Sequence, residues 1–377
     1  MKSSKLNMFL RSLTILGLLM LLHGCDPTPD TNTTFGLSDT QASSMATALF
    51  NNLQTLSADH VLVGHQDALA YGMGWKGEAF RTDINDVLDD HPAVFGWDLG
   101  HMGDANNIDD VPFEDMAKWA IAVYEKGGVN TFSWHMRNYA ISGTSWDKDS
   151  CVEACLPGGA VHELYLERLD QAAEFFSGIR NDKGELIPVI FRPFHEMTGS
   201  WFWWGHGNCS AEQYEALFQF TVDYLRNEKG QHQLIIAYSS DRFKTAEQYM
   251  DFYPGDDYVD VMAFDDYHGL ANKERTPGTI HMLEVLDSLS TQHLKMMAIS
   301  ETGLETIPNE KWFTDVVLHT LNTNESTRKA AWILFWRNGR PDHYYAPYPG
   351  HPTVPDFIEF MNHDLMLSLS ELPNLYN

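Results

Sequence analysis

The 377-residue chain is predicted to fold as a single-domain (β/α)8 TIM barrel. Three observations predict it: eight short apolar runs, amphipathic helical stretches between them, and polar side chains directly after every run. Runs this continuous are too apolar for half-exposed strands and suit a parallel sheet covered by helices.

In chain order, residues 1–24 stand outside the fold. Lys2, Lys5 and Arg11 precede an apolar run from Leu13 to Leu22, which has the layout of a secretory signal peptide rather than a spanning helix. The run ends in Leu22-His23-Gly24-Cys25, which resembles the bacterial lipobox, although His23 is unusual there. Cys25 is therefore expected to be lipidated and to anchor an exported chain to the cell envelope, at its periplasmic face or at the cell surface. Ordinary secretory cleavage beside an incidental cysteine is the alternative. Residues 25–36, rich in Pro, Thr, Asn and Asp with little to bury, read as a tether. Residues 37–377 form the expected barrel domain, with no second linker and no internal repeat.

The eight apolar runs are Val61–Gly64, Ala93–Trp97, Val129–Trp134, Ile187–Phe191, Leu234–Tyr238, Val259–Phe264, Lys295–Ile299 and Ala331–Phe335. Before the fourth, Leu164, Leu169, Ala172, Phe176 and Ile179 recur at helical spacing. After it, Ser210-Ala211-Glu212-Gln213 reads as a capping box opening a helix whose buried stripe is Tyr214, Leu217, Phe218, Thr221, Tyr224 and Leu225.

The polar residues directly after each run matter more. In order these are His65-Gln66-Asp67, Asp98 with His101, His135 with Arg137-Asn138, His195-Glu196, Ser240-Asp241-Arg242, Asp265-Asp266-Tyr267-His268, Ser300-Glu301 and Trp336-Arg337-Asn338. In this fold the strand ends converge on one face, so eight separate clusters become one cup. Any one cluster is explained by a strand running into solvent, but the choice of His, Trp, Glu and Arg is not.

Glu196 and Glu301 come after the fourth and seventh runs, across the barrel from one another. Cleaving a glycosidic bond takes one protonated carboxyl beside the leaving oxygen and one ionised carboxylate beneath the anomeric carbon, about 5–5.5 Å apart when the second attacks directly. A lone glutamate at a strand end is more often a surface residue, but Glu196 is followed at once by Trp201, Trp203 and Trp204. Sugars offer C–H faces to indoles and hydroxyls to His, Arg and Asp, so Trp201, Arg192 and His195 are expected at a substrate. Trp203 and Trp204 are expected to serve partly as loop core, with Trp204 also reaching the ligand.

Arg192-Pro193-Phe194-His195-Glu196-Met197-Thr198-Gly199-Ser200-Trp201-Phe202-Trp203-Trp204-Gly205, with Ser133-Trp134-His135, Ile299-Ser300-Glu301-Thr302-Gly303 and Phe335-Trp336-Arg337-Asn338-Gly339, resembles glycoside hydrolase family 26. These are retaining (β/α)8 enzymes whose best-known members are β-mannanases, and the resemblance covers the whole folded domain. It implies Glu196 as general acid/base and Glu301 as nucleophile. It also implies His135, Trp201 and Trp336 around the cleaved sugar, Arg337 one sugar further toward the non-reducing side, and Tyr267 bonded to the nucleophile. Thr198 departs from the family's usual Met-Asn-Gly. The implied reaction is double displacement on β-1,4-mannan or manno-oligosaccharides without metal or cofactor, with the pKa of Glu196 raised and that of Glu301 low. A same-family glucanase or xylanase is the alternative.

The segment Gly100–Asp110 is expected to fold over the non-reducing side, where His101 or Asp104 would hold a terminal sugar and favour exo action with a short product such as mannobiose. An open loop with endo cleavage is the alternative.

With 52 acidic and 25 basic residues the net charge is −27, and losing Lys2, Lys5 and Arg11 with the leader takes it to −30. Nucleic acid, which needs a basic face, is not an expected partner. A monomer is expected. Besides Cys25, Cys151, Cys155 and Cys209 allow at most one internal disulfide, Cys151–Cys155 or Cys155–Cys209. A metal-dependent barrel hydrolase is disfavoured by isolated histidines, and a lipid-anchored glycan-binding protein has no need of two opposed glutamates.

Overall fold

The computed structural model describes residues 35–377. The expected signal peptide, Cys25 and the tether to residue 34 lie outside the described residues. Eight parallel strands form the barrel: β1 (Val61–Gln66), β2 (Val94–Asp98), β3 (Val129–Ser133), β4 (Val189–Arg192), β5 (Leu234–Ser240), β6 (Val261–Asp265), β7 (Met296–Thr302) and β8 (Trp332–Phe335). Each pairs with the next, and β8 closes on β1 through Leu62 beside Trp332 and His65 beside Phe335. All eight predicted runs are barrel strands. The short strand Met366–Leu367 pairs in parallel with the first two residues of β1, Val61 and Leu62.

Alternation along each strand separates two cores. Leu62, Val94, Val129, Ile190, Ile235, Val261, Met296 and Trp332 point into the barrel, where the helix Ser44–Leu56 and the C-terminal Leu375 and Tyr376 join them. Their neighbours Val63, Phe95, Phe132, Phe191, Ile236, Met262, Met297 and Ile333 point outward against the surrounding helices. The capping box forms: Ser210 accepts from Gln213 N, and Gln213 returns a bond to Ser210 N, opening the helix Ala211–Asp223.

β7 breaks the alternation. Ile299 pairs with both Phe264 and Ile333, but Glu301 stands beside Asp265, and Thr302 beside Phe335. From either neighbour β7 carries one extra residue, a β-bulge. Ser300 and Glu301 are therefore both presented to the barrel mouth.

The three described cysteines are unbonded: Cys151 and Cys155 Sγ lie 3.6 Å apart, while Cys209 Sγ approaches the Trp204 carbonyl at 3.2 Å. The adjacent thiols are thus Cys151 and Cys155.

Candidate active site

Inward-pointing positions change from apolar to polar near the strand ends. Gly96 is followed by Asp98, Ile190 by Arg192, Ala237 by Ser239, Ala263 by Asp265 and Ala298 by Ser300. Arg192 sits at the centre, buried, bonding Asp265 Oδ2 at 2.8 Å through one amino group and Glu301 Oε1 through the other. Asp265 also accepts from Ser300 Oγ (2.6 Å) and Ser239 Oγ (3.2 Å). Tyr267 donates to the second oxygen of Glu301 at 3.1 Å.

Glu196 reaches the same place on a tight loop. Phe194 (φ 51°) and Glu196 (φ 57°) both occupy the left-handed region, which is strained for such side chains and is overcome here by fixed contacts. Glu196 N donates to Ser239 O at 2.8 Å, and Trp201 Nε1 donates to Glu196 Oε2 at 2.6 Å. Gly199 is required because a Cβ there would run into the Trp201 indole.

Oxygens of Glu196, Asp265 and Glu301 lie within 4.8 Å of one another. One guanidinium bonds two buried carboxyl groups with the part-buried Glu196 close by, so the three cannot all be ionised at little cost. Burial, then Asp265, Glu301 and Asp241, push Glu196 well above the usual carboxylate range. Burial pushes Glu301 up too, but Arg192 and His135 oppose it and it reaches only about 7. The expectation of a low Glu301 pKa is thereby corrected, because burial outweighs its cation. The order, with Glu196 the better proton holder, is the expected one.

A second layer holds His135. Asp98, buried beneath it, accepts from His135 Nδ1 (2.7 Å), His135 N (3.1 Å), Ser133 Oγ (2.6 Å) and Gly100 N (2.6 Å). Burial opposes a charged His135, but Asp98 outweighs it and its pKa rises. The His195 ring is driven the other way by burial, Arg192 and His135, so it is neutral, and its Nε2 lies 3.3 Å from His135 Nε2. Trp146, half exposed, stacks on His135 with centroids 5.4 Å apart, and Trp336 stands 6.1 Å from it.

Several expected contacts lie elsewhere. Trp204 is fully buried, donating to His195 O at 2.8 Å and stacking on Phe202, so it has no surface for a ligand. His195 is buried as well and touches His135 instead. Asp104 faces solvent, paired with Arg137 at 2.7 Å, and His101 lies beside that pair. It is Asp109 from that segment that turns inward, pairing with Arg337 at 2.8 Å, while Arg337 also donates to Tyr71 and Tyr71 to Asp67. Sequence reasoning missed Asp109, Tyr71 and Trp146, which are separated from the strand ends by loop whose path no local pattern specifies. Asp98 and Asp265 were legible as strand-end residues, but their central position required inward parity.

A family model described as "Glycosyl hydrolase family 26" matches residues 38–298. The chain belongs to glycosyl hydrolase family 26. A family 26 β-mannanase structure from Bacteroides ovatus is 38% identical with a TM-score of 0.85, covering 89% of this chain and 98% of that one. The structure of a modular endo-β-1,4-mannanase from Cellulomonas fimi is 29% identical with a TM-score of 0.84, covering 91% of this chain and 80% of that one. A mannan endo-1,4-β-mannosidase of Bifidobacterium adolescentis is 28% identical over 360 residues, 88% of this family 26 chain. The chain spans 35% of the length of that relative.

Proposed function

We propose that this family 26 protein cleaves β-1,4-mannosidic bonds with retention. The observation that carries the reading is the meeting of Glu196, Glu301 and Arg192 at the barrel mouth, with carboxyl oxygens within 4.8 Å. That spacing suits direct attack, for which carboxyl groups stand about 5–5.5 Å apart, and leaves no room for a separate attacking water. Glu301 in its ionised form, oriented by Arg192 and Tyr267, attacks the anomeric carbon and forms a glycosyl-enzyme. Glu196, kept protonated by its surroundings, gives its proton to the leaving oxygen and then takes one from the water that releases the sugar.

Glu301→Ala should abolish turnover on mannan, glucan and xylan compared side by side. Glu196→Ala should still form the intermediate from aryl mannosides with good leaving groups. Equal, severe loss of that first step for good and poor leaving groups would remove Glu196 from its role.

A short product is favoured by Asp109, whose pairing with Arg337 draws the segment 100–110 over the non-reducing side. Reducing-end-labelled mannohexaose tests it: one small unlabelled product from the start supports a closed end, and early mid-chain cuts with falling viscosity reject it. The protein is further proposed to be anchored through lipidated Cys25, in which case Cys25→Ser releases soluble, active enzyme and abolishes palmitate labelling.

A further inference from the structure

Between β3 and the helix His162–Gly178, residues 134–161 contain one short helix, Val152–Cys155, and no barrel strand. So long an irregular stretch needs fastening of its own. Its first residues include His135, and its middle carries Trp146, whose indole stacks on the His135 ring. Asn138, fully buried, draws the two arms of the loop together by donating to Asp147 O and Asp149 O, both at 2.8 Å. At the far end Cys151 and Cys155, both fully buried, bring their sulfurs within 3.6 Å, the sulfur–sulfur contact among the described residues. Glu153 between them accepts from Gln213 Nε2 at 2.6 Å, so the short helix rests on the capped end of the helix Ala211–Asp223.

We propose that Cys151 and Cys155 are a disulfide site, and that the bond staples the far end of the segment that lays Trp146 on His135. Cys155 N donates to Cys151 O at 3.0 Å, so the two residues stand one helical turn apart. That spacing puts their Cα atoms about 6 Å from one another, within the roughly 4.4–6.8 Å that a disulfide spans. Cys209 offers no rival, because its Sγ is turned to the carbonyls of Trp204 and Gly205. The Cys155 thiol, against burial and with the backbone N–H groups of Ala140 and Tyr139, holds the Cys151 thiol below its ordinary value. Cys151 is therefore the thiolate that attacks the oxidant, a protein or small-molecule disulfide, and one thiol of the oxidant departs. The Cys155 thiolate then displaces the other thiol from Cys151. The two cysteines lose two electrons and two protons, and the oxidant leaves as two thiols. Both sulfurs are shielded from solvent, so exchange belongs to an opened loop, and the closed loop protects the bond from reductants. The envelope setting proposed above is oxidising enough to supply such an oxidant, but the geometry of the site stands without it.

The Cys25→Ser protein keeps Cys151, Cys155 and Cys209 as its cysteines. It is held in an equimolar buffer of reduced and oxidised glutathione just below its melting temperature, then unfolded in guanidinium with excess N-ethylmaleimide. Peptide mapping should show Cys151 linked to Cys155 as the main species, with both becoming alkylated only after reduction. Maleimide or glutathione on either of them without prior reduction, or a linkage to Cys209, overturns the assignment. Stapling is read separately by thermal melting. Reductant should lower the melting temperature of the oxidised protein by about 4 °C and leave that of the Cys151→Ala/Cys155→Ala variant in place. An oxidised protein whose melting reductant does not move overturns the staple, and that comparison stands even where the double variant fails to fold. Failure of the envelope reading looks different: the bond is then absent from protein isolated from cells, yet forms in the glutathione buffer.

Discussion

At the residue scale one cation decides the chemistry. Arg192 lies between Asp265 and Glu301, and its charge opposes the upward push of burial on Glu301. Glu301 must be ionised to attack, so the acidic limb of the kcat/KM profile should sit near 7 rather than in the usual carboxylate range. Arg192→Lys keeps the charge but cannot hold both carboxylates in a fork, so the limb should move to higher pH. A limb that stays in place would separate it from Glu301. Asp98 poses a question of stability. Burial disfavours its charge, but His135 and the other donors hold its pKa below 3.8, while His135 rises above 6.5. The lowered carboxyl stabilises the fold above about pH 4 and loses this as pH falls through its folded value. The raised imidazole stabilises below about pH 6.5 and loses this as pH rises through its folded value. Asp98→Asn should therefore destabilise most between those limits, by about 3 kcal/mol, measured by denaturant melts across pH. A uniform loss at every pH would show that shape, rather than charge, is the cause.

Among elements, β7 is the one whose irregularity has a chemical effect. Strict alternation would aim Ser300 and Glu301 at opposite faces, but the bulge turns both toward the mouth, where Ser300 bonds Asp265 and Glu301 meets Arg192. Deleting Ser300 should remove the bulge and leave Glu301 directly after the outward-pointing Ile299 and still beside Asp265, so that turnover falls through loss of the Ser300 bond to Asp265 but is not abolished, and circular dichroism would establish whether the barrel survives. The helix Ala211–Asp223 behaves by local rules alone. Its capping box satisfies donors that otherwise lack partners, so Ser210→Ala should cost about 1 kcal/mol with kcat unchanged. A change in kcat would mean that this helix end positions the preceding tryptophan loop.

For the whole molecule, closure at the bottom is supplied by the last residues. Leu375 is fully buried, Asn52 donates to its carbonyl at 3.0 Å, and Tyr376 donates to Gly128 O at 2.6 Å while packing edge-on to Tyr124. Removing 375–377 exposes the inner core, and a loss of about 3 kcal/mol is expected from the two side chains. Chemical denaturation measures it, and a loss below about 0.5 kcal/mol, the usual scatter of surface changes, would show the barrel to be sealed without them.

The sequence by itself determined the eight strands, the capped helix and the end of the barrel at which polar residues collect, because hydrophobic periodicity and capping are local and survive without knowledge of neighbours. It also marked Glu196 and Glu301, whose motifs are contiguous. Only the tertiary structure decided which neighbours matter. Trp204 and His195 look no different in sequence from Trp201, yet packing buries the first two and leaves Trp201 on Glu196. Asp104 and Asp109 are equivalent acids of one loop, and the loop's path turns one to solvent and the other to Arg337. The upward shift of Glu301 likewise depends on its own burial set against Arg192, Asp265 and His135, a sum over residues 135, 192, 265 and 301 that no short stretch of chain contains.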